Sequence, residues 1–180
     1  LQCIPNMVIA SPSNENEARK LLSSVYGYDG PAAVRYPRGQ GPGQKIDKDL
    51  ETVKIGKANL LKKGSSKLIM LNFGSLLNHA KEIAKKYDMT LIDMRFIKPF
   101  DEGILKKYSS AKWFITIEDG SLIGGIGSTI ANWVTKQNLK IQVKCFGIPD
   151  KFIEHMSREQ MIKEAKLDYE SITKELDKIF

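Results

Sequence analysis

The stretch KLIMLNFGSLLNHAKEIAKKYDMTLIDMRF, residues 67–96, decides the fold class of this chain. Its apolar run at Lys67–Asn72 predicts a strand, and the apolar residues that recur at helical spacing over Leu76–Tyr87 predict an amphipathic helix. A second β-prone run predicts a strand at Thr90–Phe96. Because strands and helices alternate with short connections, the pattern is typical of an α/β sheet covered by helices on both faces.

The alternation continues towards the carboxyl end of the chain. The predicted elements are helix Asp101–Tyr108 with Asp101 as its N-cap, strand Trp113–Glu118, helix Gly125–Lys136, strand Lys140–Phe146 and helices near Ser157–Ala165 and Asp168–Ile179. On the other side of the stretch, Ala58–Lys62 and Lys67–Asn72 flank the turn KGSS, which predicts a hairpin. Residues 55–180 therefore predict an α/β domain of ordinary size with a mostly parallel sheet.

A shorter strand, helix and strand precede this domain. Met7–Ser11 predicts the first strand and Ala32–Tyr36 the second, and a right-handed crossover would make them a parallel pair. Between them Asn14–Tyr26 predicts a helix with Ser13 as its N-cap. Two strands and one helix cannot bury a sheet by themselves, so we expect the missing strands before Leu1 or in a partner chain, and the chain to be a fragment.

The composition changes after residue 38. The segment that runs from Gly39 towards Thr52, GQGPGQKIDKDLE and onward, carries three glycines, one proline and no apolar periodicity. That composition is typical of an interdomain linker. The sequence therefore predicts the end of one domain at residues 1–38, a linker at residues 39–54 and a second domain at residues 55–180.

The overall composition is that of an ordinary globular protein. Of the 180 residues 42% are hydrophobic and 27% are charged, which excludes disordered and collagen-like chains. No window reaches the run of about 18 apolar residues that a membrane span needs, and the amino-terminal segment lacks the basic start of a signal peptide. The net charge of +7 is carried mainly by scattered lysines, whereas nucleic-acid-binding proteins concentrate their charge on one face. We expect neither a membrane nor a nucleic-acid partner.

Metal-ligand and nucleophile motifs are missing from the sequence. The cysteines, Cys3 and Cys145, are far apart and form no CxxC pair, so we expect a reducing compartment and Cys145 as a small core residue. The histidines, His79 and His155, match no metal-ligand spacing and lie near no nucleophile. We therefore predict no catalytic residue and no metal site in this chain.

One candidate site is a glycine-rich turn. Glu118-Asp119-Gly120 ends a predicted strand, and Gly124–Ser128 opens the next helix. Such glycines allow backbone N–H groups to converge on an anion at the positive end of a helix. They also allow a helix and a strand to approach closely, and the turn lacks both the GxGxxG spacing and the lysine of a P-loop. The residues alone leave both readings open.

A second candidate is Val34-Arg35-Tyr36-Pro37-Arg38-Gly39, at the carboxyl end of a predicted strand. In open α/β sheets ligands bind at that edge, and Arg38 is placed to form a bidentate fork on a phosphate or carboxylate. The alternative is that Arg35 and Arg38 form interdomain or dimer salt bridges. A further pair, Asp93 and Arg95, lies on one face of a predicted strand, which predicts an architectural ion pair.

Six strings make the chain recognisable: CIPNMVIASPSNENEARKLL, DGPAAVRYPRG, LNFGSLL, LIDMRFIKPFD, EDGSLIGGIGS and FGIPDKFIEH. In this order and spacing they resemble the carboxyl-terminal part of the 1-deoxy-D-xylulose-5-phosphate synthases, a family of the transketolase superfamily. The wider superfamily shares the P-x-R-G and D-x-R-x-x-x-P-x-D patterns. DMRFIKPFD and IPDKFIEH favour the synthases over transketolase and over pyruvate dehydrogenase beta subunits.

The resemblance implies a fold and an activity. Residues 1–38 would end a pyrimidine-binding domain, and residues 55–180 would form the transketolase C-terminal-type α/β domain. The full-length enzyme would use thiamine diphosphate and Mg²⁺ to condense pyruvate with glyceraldehyde 3-phosphate, releasing CO₂, for isoprenoid and thiamine biosynthesis. The family's cofactor motif, activating glutamate and active-site histidines belong upstream, so this fragment alone would be inactive and bind no cofactor.

The resemblance also implies a substrate contact and an assembly. Arg38 matches the arginine proposed to contact the phosphate of glyceraldehyde 3-phosphate, with Arg35 and Tyr36 as neighbours of weaker claim. The family forms homodimers and occurs in bacterial cytoplasm or plastid-type organelles, not in secreted form. Two alternatives remain: the beta subunit of a 2-oxoacid dehydrogenase, or a non-catalytic α/β regulatory module that binds an anion at Gly124–Ser128.

Overall fold

The computed structural model describes all 180 residues and contains eight strands and six helices. The strands are β1 (Val8–Ala10), β2 (Ala32–Val34), β3 (Asn59–Lys62), β4 (Leu68–Phe73), β5 (Thr90–Asp93), β6 (Phe96–Lys98), β7 (Trp113–Ser121) and β8 (Gln142–Ile148). The helices are α1 (Glu15–Tyr26), α2 (Leu77–Lys86), α3 (Glu102–Lys107), α4 (Ile126–Lys136), α5 (Arg158–Glu164) and α6 (Tyr169–Leu176). None of the helices is long and apolar enough to cross a membrane.

The larger sheet has five strands in the order β3-β5-β4-β7-β8, and only β3 runs antiparallel to its neighbour. Alternate residues of β4 point into different cores: Ile69 and Leu71 pack with α3 and α4, whereas Met70 packs with α2 and α6. A strand buried on both faces reads as a continuous apolar run, which is how the sequence of β4 reads. The predicted α/β class with a mostly parallel sheet is confirmed.

The predicted hairpin is wrong. β3 pairs antiparallel with β5, with Asn59 opposite Asp93 and Leu60 opposite Ile92, while β4 lies on the other side of β5. The turn before β4 lies against the chain that enters β5, since a Cβ at Gly64 would collide with the Asp88 carbonyl oxygen. The free edge of β5 is therefore taken by β3, although β3 and β4 are neighbours in sequence.

The predicted strand Thr90–Phe96 is divided in two. Arg95 adopts a φ of +60°, in the left-handed region that a strand does not use. The chain therefore turns out of the larger sheet after β5 and enters a second, three-stranded sheet of order β2-β1-β6. There β6 pairs antiparallel with β1, and the Ser11 amide donates to the Arg95 carbonyl at 2.7 Å.

This second sheet corrects one expectation. β1 and β2 form the predicted parallel pair, but the strand on the other side of β1 comes from this chain, not from outside it. Met7 and Ile9 also join the same core cluster as Phe114 of β7, while α1 covers the opposite face through Leu21 and Val25. The amino-terminal unit is thus packed onto the larger sheet.

Helix α1 begins one residue later than the sequence indicates. Asn14, not Ser13, is the N-cap, because the Asn14 side chain accepts from the Glu17 amide at 3.0 Å. The Ser13 hydroxyl instead donates to Asp93 at the end of β5, at 2.6 Å. The sequence pattern reflects only local helix geometry. The Ser13 hydroxyl is not available as a cap because it bonds to Asp93, a residue distant in sequence.

The predicted linker contains no helix or strand and is largely exposed. It runs beside α1: Asn16 donates to the Lys45 carbonyl at 2.7 Å, and Arg19 donates to the Asp47 carbonyl at 2.6 Å. Its position between the small sheet and β3 agrees with a connecting role. The domain boundaries themselves stay a prediction.

Candidate functional site

The candidate site lies where the parallel strands β4 and β7 of the larger sheet and strand β2 of the smaller sheet end. From β4 the chain passes to β5 on one side and later to β7 on the other, so the carboxyl ends of β4 and β7 flank the point at which the strand order reverses. Ligands of open α/β proteins bind in that crevice. Ser75 follows β4, Asp119 lies near the end of β7, and Arg35 follows β2 of the smaller sheet.

A chain of side-chain hydrogen bonds connects these strand ends. The Arg35 guanidinium donates to the Asp119 carboxylate through Nη1 and to the Asp119 carbonyl through Nη2. The Ser75 hydroxyl donates to the other carboxylate oxygen, Oδ2, and accepts from Nη2 of Arg158 at 2.6 Å. The side chain of Asp119 is only 16% exposed and that of Arg35 is 38% exposed. The small sheet and the larger sheet are thereby tied together through one carboxylate.

The two arginines of the predicted substrate segment have different surroundings. Arg35 has both terminal guanidinium nitrogens engaged by Asp119, and this salt bridge joins the smaller sheet to the larger one, as in the alternative that the sequence left open for Arg35. Arg38 is exposed and makes no hydrogen bond or ion pair within the chain, and the Tyr36 side chain is exposed as well. The role of these residues in substrate binding stays a prediction.

A cavity of about 390 Å³ opens beside this segment. Its walls are the start of α1, the chain after β2, the start of α2 and helix α5, and they include Tyr36, Ser75, His79 and Arg158. The volume falls in the range of small-molecule sites, about 300 to 1,000 Å³. His79 makes no hydrogen bond there, and His155 is exposed elsewhere on the surface. Ser75 and Arg158 belong both to the cavity lining and to the network of side-chain hydrogen bonds.

The glycine-rich turn is occupied from within the chain. The carboxylate of Glu118 accepts from the Gly127 amide at 2.9 Å and from the Ile126 amide at 3.2 Å. Burial raises the pKa of Glu118, although these amides act against the rise. A Cβ at Gly127 would lie 2.7 Å from the Thr116 hydroxyl. Close packing accounts for these glycines, and the alternative that the sequence left open, an anion site at Gly124–Ser128, is not supported, because the Glu118 carboxylate already bonds the amides at this end of α4.

The predicted ion pair between Asp93 and Arg95 is also wrong. Arg95 makes two bonds to the carboxylate of Glu17 in α1, at 2.6 and 2.8 Å. Asp93 accepts from Ser13 at 2.6 Å and from Asn72 at 3.2 Å. The left-handed backbone of Arg95 removes the strand alternation on which the prediction relied, so the two side chains point to different partners.

Burial raises the pKa of Asp93 to about 6, despite the hydrogen bond from Ser13 and that from Asn72. The folded state thus binds a proton more tightly than the unfolded chain between the ordinary value of 3.8 and about 6. Stability from this group therefore increases as the pH falls through that window. The Ser65 hydroxyl lowers the pKa of the exposed Asp88 to about 2. The contribution of Asp88 to the stability of the protein is therefore lost only as the pH falls below the ordinary value of 3.8.

We expect the protein to gain about 1 kcal/mol of unfolding free energy from Asp93 when the pH falls from about 7.5 to about 5. Urea unfolding at both pH values measures this gain. Asp93→Asn should reduce it strongly and leave the smaller contribution of Glu118, whose pKa is raised in the same direction. An unchanged gain in the variant would assign the pH dependence to other groups.

Two members of the site, Ser75 and Arg158, were not singled out as functional by the sequence, and Asp119 was included only in the glycine-rich candidate turn. Asp119 lies in the string EDG, but its partners come from other elements. Ser75 lies in the string LNFGSLL, whereas Arg158 lies in none of the six strings. The signals for a site are the place of Ser75 after a parallel strand and that of Arg158 at the start of a helix. No cluster of three His, Cys, Asp or Glu side chains that could hold a metal ion occurs in the chain.

Comparison with known proteins gives a consistent result. The profile of the family described as transketolase, C-terminal domain, matches residues 56–172. Proteins named 1-deoxy-D-xylulose-5-phosphate synthase are 43% identical over 98% of the chain in Marinomonas sp. (strain MWYL1) and 45% over 99% in Hahella chejuensis (strain KCTC 2396). The relative from Francisella tularensis subsp. novicida (strain U112) is 46% identical over 99% of the chain. These matches confirm the resemblance seen in the sequence.

The chain is shorter than those relatives and spans 28% to 29% of their length. Among solved structures, one described as a split gene transketolase, inactive beta4 tetramer, superposes with a TM-score of 0.78 at 22% identity, over 98% of this chain and 58% of its own. Transketolase from Campylobacter jejuni subsp. jejuni gives 0.65 at 18% identity, over 95% and 26%. At these identities the two structures establish the fold alone.

Proposed function

The chain belongs to the family of the transketolase C-terminal domain, and from that premise we propose that it is the carboxyl-terminal part of a thiamine-diphosphate-dependent synthase. The full-length enzyme would condense pyruvate with glyceraldehyde 3-phosphate to 1-deoxy-D-xylulose 5-phosphate and release CO₂. The observation that carries the proposal is the identity of 43% to 46% to synthases of that name, spread over nearly the whole chain. The two solved structures cover nearly as much of the chain at only 18% to 22% identity, a level that establishes the fold alone.

The residues of this chain do not fit the cofactor's diphosphate and its Mg²⁺. No three potential metal ligands lie together, and the amides at the start of α4 are already bonded to Glu118. We therefore propose that the residues that hold the cofactor belong to the remainder of the longer protein. On this proposal the 180-residue chain alone binds no cofactor and has no activity.

Within this function, Arg38 is the residue that we assign to the substrate phosphate. It follows β2 at the carboxyl edge, it is exposed, and no group of the chain competes for its guanidinium. Arginine presents a planar fork that matches phosphate oxygens, so two hydrogen bonds can form at once. Tyr36, two residues before it, lines the cavity, whereas Arg38 itself is not a lining residue. Because Arg35 is held by Asp119, the geometry favours a supporting role for Arg35 over a direct one.

Arg38→Ala in the full-length enzyme is expected to raise the KM for glyceraldehyde 3-phosphate by about 10- to 100-fold, the loss of one or two hydrogen bonds to a charged group. The KM for pyruvate should change little, since pyruvate carries no phosphate. Steady-state kinetics with each substrate varied in turn measures both constants.

The matched control is Arg19→Ala. It removes the same charge from α1, where Arg19 bonds to the Asp47 carbonyl of the linker. We expect both KM values to stay close to those of the unmodified enzyme. If Arg38→Ala changes the KM for both substrates equally, Arg38 is not the contact for the substrate phosphate.

We further propose that the full-length enzyme is a homodimer and that it works in the bacterial cytoplasm or in a plastid-type organelle. Both statements derive from the relatedness to the synthases. The anion-binding module is not retained, because Glu118 occupies the helix start on which it depended. No contact in the chain favours the beta subunit of a 2-oxoacid dehydrogenase.

A further inference from the structure

We propose that Asp119 and Ser75 are positioning residues of the substrate site: through Arg35 they orient the segment that presents Arg38. The inference rests on the proposed function, because it takes Arg38 as the phosphate contact. It assigns to the C-terminal domain a part in substrate binding that depends on three side chains outside the predicted segment, Asp119, Ser75 and Arg158.

The first step concerns the anchor at Arg35. Its backbone amide donates to the Ala10 carbonyl of β1 at 2.8 Å, which continues the pairing of the small sheet by one residue. Its side chain reaches across to β7, where Asp119 accepts from both terminal nitrogens. Backbone and side chain of Arg35 are therefore held by two different sheets.

The second step concerns the carboxylate. Arg35 occupies Oδ1 of Asp119, and the Ser75 hydroxyl occupies Oδ2, so the carboxylate plane is defined by donors on both sides. Ser75 is itself held by the Arg158 guanidinium at 2.6 Å. A charge-assisted bond with both acceptor oxygens engaged has little rotational freedom. The position of the Arg35 side chain is thus set by a network and not by a single surface pair.

The third step connects this anchor to Arg38. Only Tyr36 and Pro37 lie between the two arginines, and proline restricts φ to about −65° and biases the residue before it towards extended backbone. Three residue steps of such a chain carry the Arg38 backbone at most about 10 Å from that of Arg35. After Arg38 the chain enters Gly39 at a φ of +124°, where the restriction ends. The orientation of Arg38 therefore depends on the residues before it.

The proposal predicts a specific kinetic change. Asp119→Asn removes the negative charge that holds Arg35 and leaves it only a neutral amide oxygen and the backbone carbonyl of residue 119 as acceptors. The segment then samples more conformations, and Arg38 contacts the phosphate in only a fraction of them. The apparent affinity falls by that fraction. Asp119→Asn in the full-length enzyme should raise the KM for glyceraldehyde 3-phosphate by about 3- to 10-fold and leave the KM for pyruvate unchanged. Ser75→Ala should act in the same direction, and Ser75→Thr, which keeps a hydroxyl, should restore the constant.

A double-variant cycle isolates the connection. If Asp119 acts through Arg38, then Asp119→Asn has no further effect on that KM once Arg38 is alanine. The matched control is Asp88→Asn, which removes an ion-paired carboxylate at the opposite edge of the larger sheet, ahead of β5. It should leave both KM values unchanged.

The outcomes separate this inference from the proposed function. If Arg38→Ala leaves the KM for glyceraldehyde 3-phosphate unchanged, the proposed substrate contact is wrong. If Arg38→Ala raises it but Asp119→Asn does not, only the positioning role is wrong. Additive effects in the double variant, or a lowered melting temperature with unchanged kinetic constants, would reduce the network to an interdomain tether.

Discussion

Arg95→Ala is expected to lower the free energy of unfolding by about 3 to 5 kcal/mol, the range for removing one partner of a buried ion pair. Arg95 binds Glu17 through Nε and Nη2, and the two side chains are only 14% and 11% exposed. The variant leaves the carboxylate of Glu17, on the buried face of α1, without a counter-charge. Since the pair joins α1 to the turn between β5 and β6, both sheets lose a connection at once.

Urea unfolding at neutral pH measures this loss. Arg19→Ala, two positions from Glu17 in the same helix and bonded to a backbone carbonyl, should cost less than about 1 kcal/mol. The double variant Glu17→Leu with Arg95→Met removes both charges and should recover most of the stability, because no unpaired charge stays buried. A cost for Arg95→Ala no larger than that of Arg19→Ala would contradict the prediction.

Gly125→Ala is expected to destabilise the protein by about 3 to 5 kcal/mol, from overpacking together with lost hydrogen bonds to a charged group. The backbone of Gly125, with φ −73° and ψ 179°, suits any residue, so conformation is not the obstacle. The obstacle is lack of space, because a Cβ there would collide with the Ser121 carbonyl oxygen and lie 2.5 Å from Oε1 of Glu118. The turn must shift, and the bonds from the α4 amides to Glu118 are then lost.

The adjacent glycine provides the control. Gly124 has a φ of +69°, but a Cβ there would meet nothing within 4 Å. Gly124→Ala therefore tests backbone conformation without steric overlap and should cost about 1 to 2 kcal/mol. Thermal unfolding of the two variants compares the cost of steric overlap at Gly125 with the cost of a left-handed backbone conformation at Gly124. A larger effect at Gly124 than at Gly125 would overturn the packing explanation of this turn.

The sequence predicted the elements better than their partners. Each predicted strand and helix has a counterpart, although Thr90–Phe96 is divided between β5 and β6, because an apolar run or a helical stripe is a property of consecutive residues. Asp101 caps α3 as expected, since its bond to the Ile104 amide spans three residues. The hairpin failed because strand pairing is decided by which edge is free, and β5 offered one to β3.

For the candidate site as well, the sequence predicted individual residues but not their partners. Arg35, Tyr36 and Arg38 were predicted because they lie at the carboxyl end of a predicted strand and match the family's substrate segment, and the edge at which parallel strands end is a property of the topology. Whether Arg35 is free or paired was left open by the residues alone, because its partner Asp119 lies 84 positions later. Arg158 is a further 39 positions beyond Asp119, and it enters the site only through Ser75.

The amino-acid sequence by itself determined the α/β class, the order of the elements, the resemblance to the synthases and the segment that carries Arg38. These are recorded in local spacing and in motifs read along the chain. The tertiary structure alone decided that Arg95 pairs with Glu17, that Glu118 occupies the start of α4, and that Asp119 holds Arg35. Charges find partners across space at the distance of a hydrogen bond, and separation along the chain does not enter that energy.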